Sequence, residues 1–369
     1  MRFIVSREAL IGPLMLVANV SERRSTMLVL SNILIQVRGQ ELLLLATDTE
    51  VEMLGRIRLL DHNEEGSITV PAKKFLDLVK SLPDENMIEC VLDADRLIMR
   101  SGRSKFSLST LPAEDFPQSD AAINEQKLTV SLPQGEFKSV LNATAFAIAV
   151  QDVRYYLNGM LLEVSSDRLR TVATDGHRLS LADVGASADT DQAVQSILPR
   201  KAVHELQRLL EPRAEEIRVV LTDKFIRVDN GQIQFTSNLI EGRFPDYHRV
   251  VPTQNDLDLV VDRSLLKATL ARIAILTHEK SRGVRLVISE NLLAVFSVGD
   301  EEQGEETLQV EYQGPDIEIG LNVGYLLDVL NAIDGEQVLL QFKDNTSSVL
   351  VRDFDAPDRG RYVVMPMRF

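Results

Sequence analysis

Short runs in which apolar and polar positions alternate every two residues dominate the chain. This period is typical of β-strands with one buried face. The runs come in groups, separated by turn residues such as Asn230-Gly231, so they predict antiparallel meanders and not strands that alternate with helices. The clearest runs are Leu42–Ala46, Met87–Val91, Arg96–Met99, Phe106–Leu108, Ile217–Val220, Phe225–Val228 and Ile233–Thr236.

The chain repeats one pattern three times. Val70-Pro71-Ala72-Lys73-Lys74 recurs as Leu198-Pro199-Arg200-Lys201-Ala202, a spacing of 198 − 70 = 128 residues. Phe116-Pro117 recurs as Phe244-Pro245 at the same spacing, and Leu321–Leu327 occupies the equivalent helix position in a weaker third copy. A fixed period of this kind indicates repeated structural modules.

Each copy opens with a short strand that leads into a helical pattern. The helix starts carry Ser6, Ser131 and Asp262, whose side-chain oxygens can accept hydrogen bonds from the first backbone amides of a helix. We therefore predict an α+β fold of three domains, each with two helices packed on antiparallel sheet. The opening strands are Phe3–Val5, Leu128–Val130 and Leu259–Val261, the domain bounds are 1–125, 126–253 and 254–369, and the first linker covers 118–122.

Composition is typical of a globular protein, and the use of a single cysteine favours the cytoplasm. Its 369 residues are 44% hydrophobic and 26% charged, and the net charge of −15 argues against gripping nucleic acid by overall charge. The one cysteine, Cys90, cannot form an internal disulfide. Arg2, Arg7 and Glu8 interrupt the N-terminal apolar stretch, and no apolar run approaches the roughly 20 residues of a membrane span.

Sequence motifs give no strong catalytic or metal site. The glycine-rich phosphate loops are missing, and the five histidines show no metal-ligand spacing, so we expect no cofactor. One stretch, Thr174–Arg178, pairs Asp175 with His177, which could serve proton transfer in a hydrolase. The alternative is a tight turn at Asp175-Gly176, favoured because the first copy has Thr47-Asp48 without a histidine.

The positive residues are not spread evenly. Lysines and arginines recur on the helices of all three copies, so helices on one side of a sheet would form a positive surface on an acidic protein. Arg96, Arg103 and Lys105 flank Phe106 and Leu108, whereas the third copy has an acidic run over Asp300–Glu306. These ends complement each other only between subunits packed head to tail, and two such contacts close a ring.

Six segments of the chain are specific enough to compare with known families: Ser101–Ser104, Phe106–Pro112, Gln151–Met160, Thr174–Leu179, Gly242–Tyr247 and Tyr362–Arg368. They resemble the β-subunit family of bacterial DNA polymerase III, the replicative sliding clamps, and the resemblance runs from Met1 to Phe369. It implies a head-to-tail homodimer, a six-domain ring with helices inside that encircles duplex DNA without catalysis.

The resemblance also implies sites for DNA, for a second subunit and for short extended peptides of polymerase III α, clamp-loader and repair proteins. The positions expected at DNA, with the helix cations, are Arg24, Lys73, Gln151, Tyr155, Tyr156, Arg200 and Lys201. Those expected at the dimer contact are Lys74, Arg96, Arg103, Lys105, Phe106, Leu108, Ile275, Leu276, Asp300, Glu302, Glu305 and Glu306. Those expected in a hydrophobic peptide cleft are Arg154, Leu157, Thr174, Gly176, His177, Arg178, Leu179, Pro245, Arg249, Val250, Asn322, Tyr325, Thr346, Ser348, Val363, Val364, Met365, Pro366, Met367 and Arg368.

Three positions depart from close relatives: Ser281 replaces an aromatic residue, Thr346 a valine and Phe369 a leucine. An adaptor that binds peptides without DNA is the remaining alternative to a clamp. The resemblance further implies a separate ATP-driven protein that opens the ring, since this sequence has no nucleotide-binding motif.

Overall fold

The computed structural model describes residues 1–21, 27–59, 63–117, 128–278, 281–299 and 302–368. Arg24, Asp300, Phe369 and the linker at 118–122 lie outside these residues. The chain packs into two compact units. Unit 1 comprises Met1–Gly135 with His204–Leu239, and unit 2 comprises Glu136–Val203 with Ile240–Phe369.

In the first and third copies, the opening helix begins at the capping residue that the sequence predicts. The Ser6 hydroxyl accepts a hydrogen bond from Ala9 N (3.2 Å), and Asp262 accepts one from Leu265 N (2.7 Å), which confirms two predicted caps. The Ser131 cap was wrong, because Ser131 lies inside a strand opposite Arg218. The α-helices are α1 (Arg7–Val20), α2 (Ala72–Ser81), α3 (Gln134–Thr144), α4 (Arg200–Leu209), α5 (Arg263–Ala274) and α6 (Val323–Ala332).

The strands of the described residues are numbered along the chain. The first nine are β1 (Arg2–Ser6), β2 (Asn32–Arg38), β3 (Glu41–Thr47), β4 (Val51–Arg58), β5 (Gly66–Pro71), β6 (Met87–Asp93), β7 (Arg96–Ser101), β8 (Ser104–Ser109) and β9 (Leu128–Pro133). The next nine are β10 (Gly159–Val164), β11 (Arg168–Thr174), β12 (Arg178–Gly185), β13 (Ser187–Ala188), β14 (Val194–Pro199), β15 (Glu216–Leu221), β16 (Phe225–Asp229), β17 (Ile233–Asn238) and β18 (Leu257–Asp262). The last eight are β19 (Gly283–Ser289), β20 (Leu292–Ser297), β21 (Glu305–Gln309), β22 (Glu311–Tyr312), β23 (Ile317–Asn322), β24 (Gln337–Phe342), β25 (Val349–Asp353) and β26 (Gly360–Val364).

Unit 1 contains two antiparallel arrays. One has the strand order β1-β6-β7-β8, and the other runs β9-β15-β16-β17-β4-β3-β2-β5. Helix α1 lies on β3 and β4. Gly55 on β4 permits this close approach, because a Cβ there would come within 3.3 Å of side-chain atoms of both Pro13 and Val17.

Unit 2 contains a nine-stranded sheet and a four-stranded sheet. Their orders are β14-β10-β11-β12-β26-β25-β24-β18-β22 and β21-β20-β19-β23. The apolar residues of α5 and α6, among them Leu270 and Leu326, pack with inward residues of both sheets in one buried cluster. Burial of this apolar face is the main favourable contribution to its stability.

The three copies have equivalent elements, which confirms the α+β fold. A strand precedes a helix at β1-α1, β9-α3 and β18-α5, and again at β5-α2, β14-α4 and β23-α6. The Asn230-Gly231 turn is also confirmed, since Asn230 Oδ1 accepts the Ile233 amide (2.8 Å) and Gly231 has a φ of 89°. The exact bounds at 125 and 253 stay a prediction. No helix of the described residues is long and apolar enough to cross a bilayer.

Two glycines of the nine-stranded sheet give a matched test of its packing. A Cβ at Gly159 would lie 2.7 Å from Leu198 O and 2.8 Å from Ile197 Cγ2, whereas a Cβ at Gly185 would meet nothing within 4 Å. We expect Gly159→Ala to lower the free energy of unfolding by about 1–3 kcal/mol through overpacking. Gly185→Ala should change it by less than about 0.5 kcal/mol. Urea denaturation measures both, and equal effects would contradict this packing.

Candidate functional site

The stretch Thr174–Arg178 is the turn between β11 and β12. Asp175 Oδ1 accepts hydrogen bonds from the amides of His177 (2.9 Å) and Arg178 (3.0 Å), and Thr174 Oγ1 donates to Arg178 O (2.6 Å). Gly176 has a φ of 90°, which glycine adopts without strain. The tight-turn interpretation is therefore confirmed.

The first copy uses the same chemistry for its turn between β3 and β4. Asp48 Oδ1 accepts the amides of Glu50 (2.9 Å) and Val51 (2.8 Å), and Thr47 Oγ1 donates to Val51 O (2.8 Å). Thr-Asp is thus a repeated turn signal. It needs no histidine, which removes the main argument for an Asp175–His177 pair in proton transfer.

Arg178 links the turn to two other parts of unit 2. Its guanidinium pairs with Asp175 (3.1 Å) and Asp328, and it donates to Phe146 O (2.7 Å). It also lies 4.5 Å from the Tyr325 ring centroid and 5.2 Å from that of Phe146. The planar fork of arginine supplies the bonds and the ring contacts together. Sequence reasoning missed Phe146 and Asp328, because no local motif marks either residue.

Tyr325 and His177 form one wall beside this arginine. Their ring centroids are 6.4 Å apart and the ring planes are nearly parallel. Burial, with Asp175 nearby, raises the pKa of Tyr325, so its hydroxyl stays neutral at physiological pH. Tyr325 lies in the first turn of α6, and its amide donates to the side chain of Asn322, the residue that caps this helix (3.2 Å). Asn322 in turn donates to Ser281 O (3.1 Å), which fixes this end of the helix.

The C-terminal segment lies beside the same turn. Strand β26 pairs with β12, so Val363 faces Leu179 in register and Val364 faces Arg178. Beyond the strand, Met365 N donates to His177 O (3.0 Å) and Met367 N donates to Gly320 O (2.8 Å). Residues 365–367 are therefore held by backbone hydrogen bonds, although their sequence alone suggests a frayed end.

Several of the predicted cleft residues form an apolar floor beside the β11–β12 turn. Leu157, Leu179 and Val363 are buried in one cluster, and Val250 packs against it half-buried. Val364 points to the opposite face and joins the other cluster of unit 2, with Tyr325 packed against it. Met365 is 37% exposed, and Pro245 is also exposed. The predicted cleft residues therefore include a buried base and an accessible rim.

Arg154 lies across Gly176 on the rim. Its guanidinium forms two hydrogen bonds with Asp152 (3.0 and 2.8 Å), and this pairing holds the pKa of Asp152 at about 2. Asp152 is therefore ionised at neutral pH and keeps Arg154 oriented. A Cβ at position 176 would lie 3.1 Å from the Arg154 guanidinium, so glycine permits this contact. We name this surface, from Arg154 across Gly176, Arg178 and Tyr325 to Met365, the unit 2 groove.

Three other predicted cleft residues lie at turns of unit 2. Val349 pairs with Val364, so Ser348 lies one step beyond the end of β26. Thr346 is exposed in the preceding turn, where hydrogen bonds from its amide and hydroxyl hold the pKa of Asp344 at about 2. Arg249 is exposed and pairs with Asp246 (3.0 Å).

The residues predicted to contact DNA have different surroundings. Lys73 and Lys201 are exposed, and Gln151 is exposed with a positive φ of 53°. Tyr155 is 57% exposed and packs edge-on against Tyr156 at 5.8 Å. The Arg200 guanidinium is half-buried and donates to Ile148 O (3.1 Å), so only part of it is available. Arg24 lies outside the described residues.

Of the residues predicted for a dimer contact, Lys105, Phe106 and Leu108 lie on the edge strand β8, Glu305 and Glu306 lie on the edge strand β21, and the described others lie outside these two strands. In unit 1, β8 is the outermost strand of its array, Phe106 is half-buried, and Leu108 is only 7% exposed. Arg96, Arg103, Lys105 and the helix residue Lys74 are exposed.

In unit 2, β21 is an edge strand, and Ile275 beyond the end of α5 is 78% exposed. Leu276 is half-buried, and Glu302 and Glu305 are exposed. Glu306 is already paired with Arg272 (2.6 Å), which lowers the pKa of this carboxyl.

Comparisons with known proteins cover the whole chain. Three family profiles match it: the N-terminal domain of the DNA polymerase III beta subunit over residues 1–120, its central domain over 131–246 and its C-terminal domain over 248–368. The chain is 48% identical to the beta sliding clamp of Pseudomonas aeruginosa and 47% identical to that of Escherichia coli, with both chains fully covered. A crystal structure of the Pseudomonas aeruginosa sliding clamp bound to griselimycin matches with a TM-score of 0.97 at 48% identity, again over both full chains.

Arg178 can be tested against a neighbouring arginine. We expect Arg178→Lys to lower the free energy of unfolding by about 1–3 kcal/mol, because a lysine cannot keep the paired carboxylates and both ring contacts. Arg168→Lys is the control, since the Arg168 side chain is 42% exposed and its nearest carboxylate is 4.0 Å away. Its effect should stay below about 0.5 kcal/mol in urea denaturation. An Arg178→Lys protein as stable as the control would contradict the linking role.

Proposed function

Since the chain belongs to the DNA polymerase III beta subunit family, the sliding clamps, we propose which of its surfaces meet DNA, a second subunit and partner proteins. The protein is a processivity factor without catalytic activity of its own. As a homodimer it encircles duplex DNA and tethers polymerase and other clamp-motif partners. The observation that carries this conclusion is the match to sliding clamps from the first residue to the last at 48% identity.

We assign the three clamp domains to 1–125, 126–253 and 254–369. The repeated order of strand and helix supports these bounds. Each domain then has one helix after its opening strand and a second helix that starts 60–66 residues later, as the positions of α1 and α2, α3 and α4, and α5 and α6 indicate.

DNA is held by linkage through a ring, so the contacts with phosphates can be weak and independent of sequence. We propose that Lys73, Gln151, Lys201 and the two tyrosines at 155 and 156 provide such contacts, with Arg24 and part of Arg200. The exposure of Lys73 and Lys201 on helices supports this. The net charge of −15 keeps the remaining surface from attracting DNA.

The unit 2 groove fits extended peptides with large apolar side chains. The floor at Leu157, Leu179 and Val363 is apolar, while Arg154 and Arg249 offer charge at the rim for polar or carboxylate groups. Methionines at 365 and 367 can repack around different sequences. A groove of this kind receives polymerase III α, clamp-loader and repair proteins through one short motif. The Pseudomonas aeruginosa clamp binds griselimycin, a precedent for a ligand on this fold.

The dimer contact would join β8 of one protomer to β21 of its partner, head to tail. Both strands are sheet edges whose outward backbone groups can pair with another strand. The exposed cations at 96, 103 and 105 complement the acidic residues at 300, 302 and 305, whereas Glu306 is already paired within its own protomer. Ile275 supplies the most exposed apolar surface of this contact.

We place the protein in the cytoplasm, where bacterial DNA is replicated. Cys90 is fully buried, and burial raises the pKa of its thiol, so it stays protonated and unreactive in this compartment.

Retention on circular DNA tests the clamp function. Protein loaded on nicked circular DNA by a clamp loader should stay bound at 0.5–1 M salt, because salt weakens phosphate contacts but not topological linkage. Cutting the circle once should release it within minutes, since the ring slides off a free end. Binding that is lost in salt on both circle and linear DNA would contradict a ring and favour an adaptor.

Ile275 and Leu265 give a matched test of the dimer contact. Both are exposed apolar residues in or next to α5, at 78% and 45% exposure. We expect Ile275→Ser to raise the dimer dissociation constant about tenfold or more, because it removes apolar area from the contact. Leu265→Ser should leave the constant unchanged. Light scattering over a dilution series measures the dissociation constant of each variant. Equal constants for Ile275→Ser and Leu265→Ser would show that the dimer contact lies elsewhere.

A further inference from the structure

The segment Phe244–Val251 carries three of the predicted cleft residues, Pro245, Arg249 and Val250, but belongs to no strand. It lies between β17 and β18 and contains one short 3-10 turn, Tyr247–Arg249. Its own backbone hydrogen bonds are local: the amides of Val250 (3.0 Å) and Val251 (3.3 Å) both donate to Tyr247 O. Other contacts must therefore hold the segment against the nine-stranded sheet.

A row of polar residues crosses four strands of this sheet. Glu163 faces Gln195 and Arg170 in register, and Arg170 faces Asp183. The Arg170 guanidinium donates two hydrogen bonds to Asp183 (2.6 and 2.8 Å), and Gln195 donates one to Glu163 (2.7 Å). Arg170 and Glu163 are nearly buried, at 7% and 9% exposure. Buried charges are tolerated only when they are paired and hydrogen-bonded, as these are.

The Tyr247 hydroxyl completes the row. It accepts a hydrogen bond from Arg170 Nη1 (3.1 Å) and donates one to Glu163 Oε1 (3.0 Å). A tyrosine hydroxyl has one proton to donate, so the bridge between the cation and the carboxylate uses its donor and an acceptor site at once. Phenylalanine could fill the same space but could make neither bond.

The Tyr247 ring connects this row to the groove floor. It is 3% exposed and lies in the same buried cluster as Leu157, Leu179 and Val363. One side chain therefore joins the sheet's ionic row, the apolar floor and the segment that carries Pro245, Arg249 and Val250. We propose that Tyr247, held by Arg170 and Glu163, is a positioning residue that fixes this rim of the groove and thereby sets its affinity for peptides. The inference rests on the proposed peptide-binding function.

Tyr247→Phe tests the proposal, with Tyr312→Phe as the matched control. Tyr312 is also buried in unit 2, and its hydroxyl donates one hydrogen bond, to Pro315 O (2.7 Å). The probe is a fluorescein-labelled extended peptide with adjacent leucine and phenylalanine residues. We expect Tyr247→Phe to weaken peptide binding roughly two- to tenfold, the loss that removal of such hydrogen bonds gives, and Tyr312→Phe to leave it unchanged. Equal affinity of Tyr247→Phe and wild type, or equal losses in both variants, would overturn the proposal.

Amide hydrogen exchange provides a local measurement that a general loss of stability would not reproduce. In Tyr247→Phe, the amides of Val250 and Val251 should exchange at least several-fold faster, while those of β11 and β12 keep their wild-type rates. Uniform acceleration across unit 2 would indicate a purely structural role.

Met365→Glu separates failure of this inference from failure of the proposed function, because it places a charge on the exposed rim. If wild type binds the peptide, Met365→Glu does not and Tyr247→Phe matches wild type, only the positioning role is wrong. If wild type shows no binding, the peptide function is wrong, and the link from Tyr247 to affinity is wrong with it.

Discussion

Pairing of strands from different sequence copies is the constraint on which the rest of the structure depends. In unit 2, β12 from the second copy pairs with β26 from the third, and in unit 1, β17 from the second copy pairs with β4 from the first. Each junction is a ladder of backbone hydrogen bonds within one continuous sheet. Neighbouring copies are therefore joined by backbone and not by side chains alone, and a one-residue slip at either junction would turn buried side chains to the opposite face of the sheet.

The unit 2 groove is a direct result of such a junction. The β12–β26 pair places the Thr-Asp-Gly turn of one copy beside the C-terminal segment of another, and Arg178 at the start of β12 reaches α6 across it. The apolar floor and the charged rim come from segments far apart in sequence. Small shifts between the copies would separate these groups, so a rigid backbone junction suits the peptide-binding role proposed for this groove.

The sequence was most informative where one local rule decides the outcome. The alternation period located strands such as β6 and β16, and the Thr-Asp pairs marked equivalent turns at 47–48 and 174–175. Ser131 failed as a cap because a strand continues through it to Pro133, so tertiary pairing with β15 overrode the local preference. Contacts between residues far apart in sequence could not be predicted, because no local pattern links Arg178 to Phe146 and Asp328, or Tyr247 to Arg170. The family resemblance supplied the groove residues as a set, and the structure supplies the contacts that hold them.

The shared sheets also limit how such a chain can be dissected or can evolve. A fragment that contained only residues 126–253 would lose β26 beside β12 and β4 beside β17, leaving two long unpaired edges on which copies of the fragment could stack. A copy therefore cannot be removed or exchanged without leaving strands of its neighbours unpaired. An insertion, deletion or exchange at the boundary between two copies is tolerated only if it keeps both of these inter-copy strand pairs.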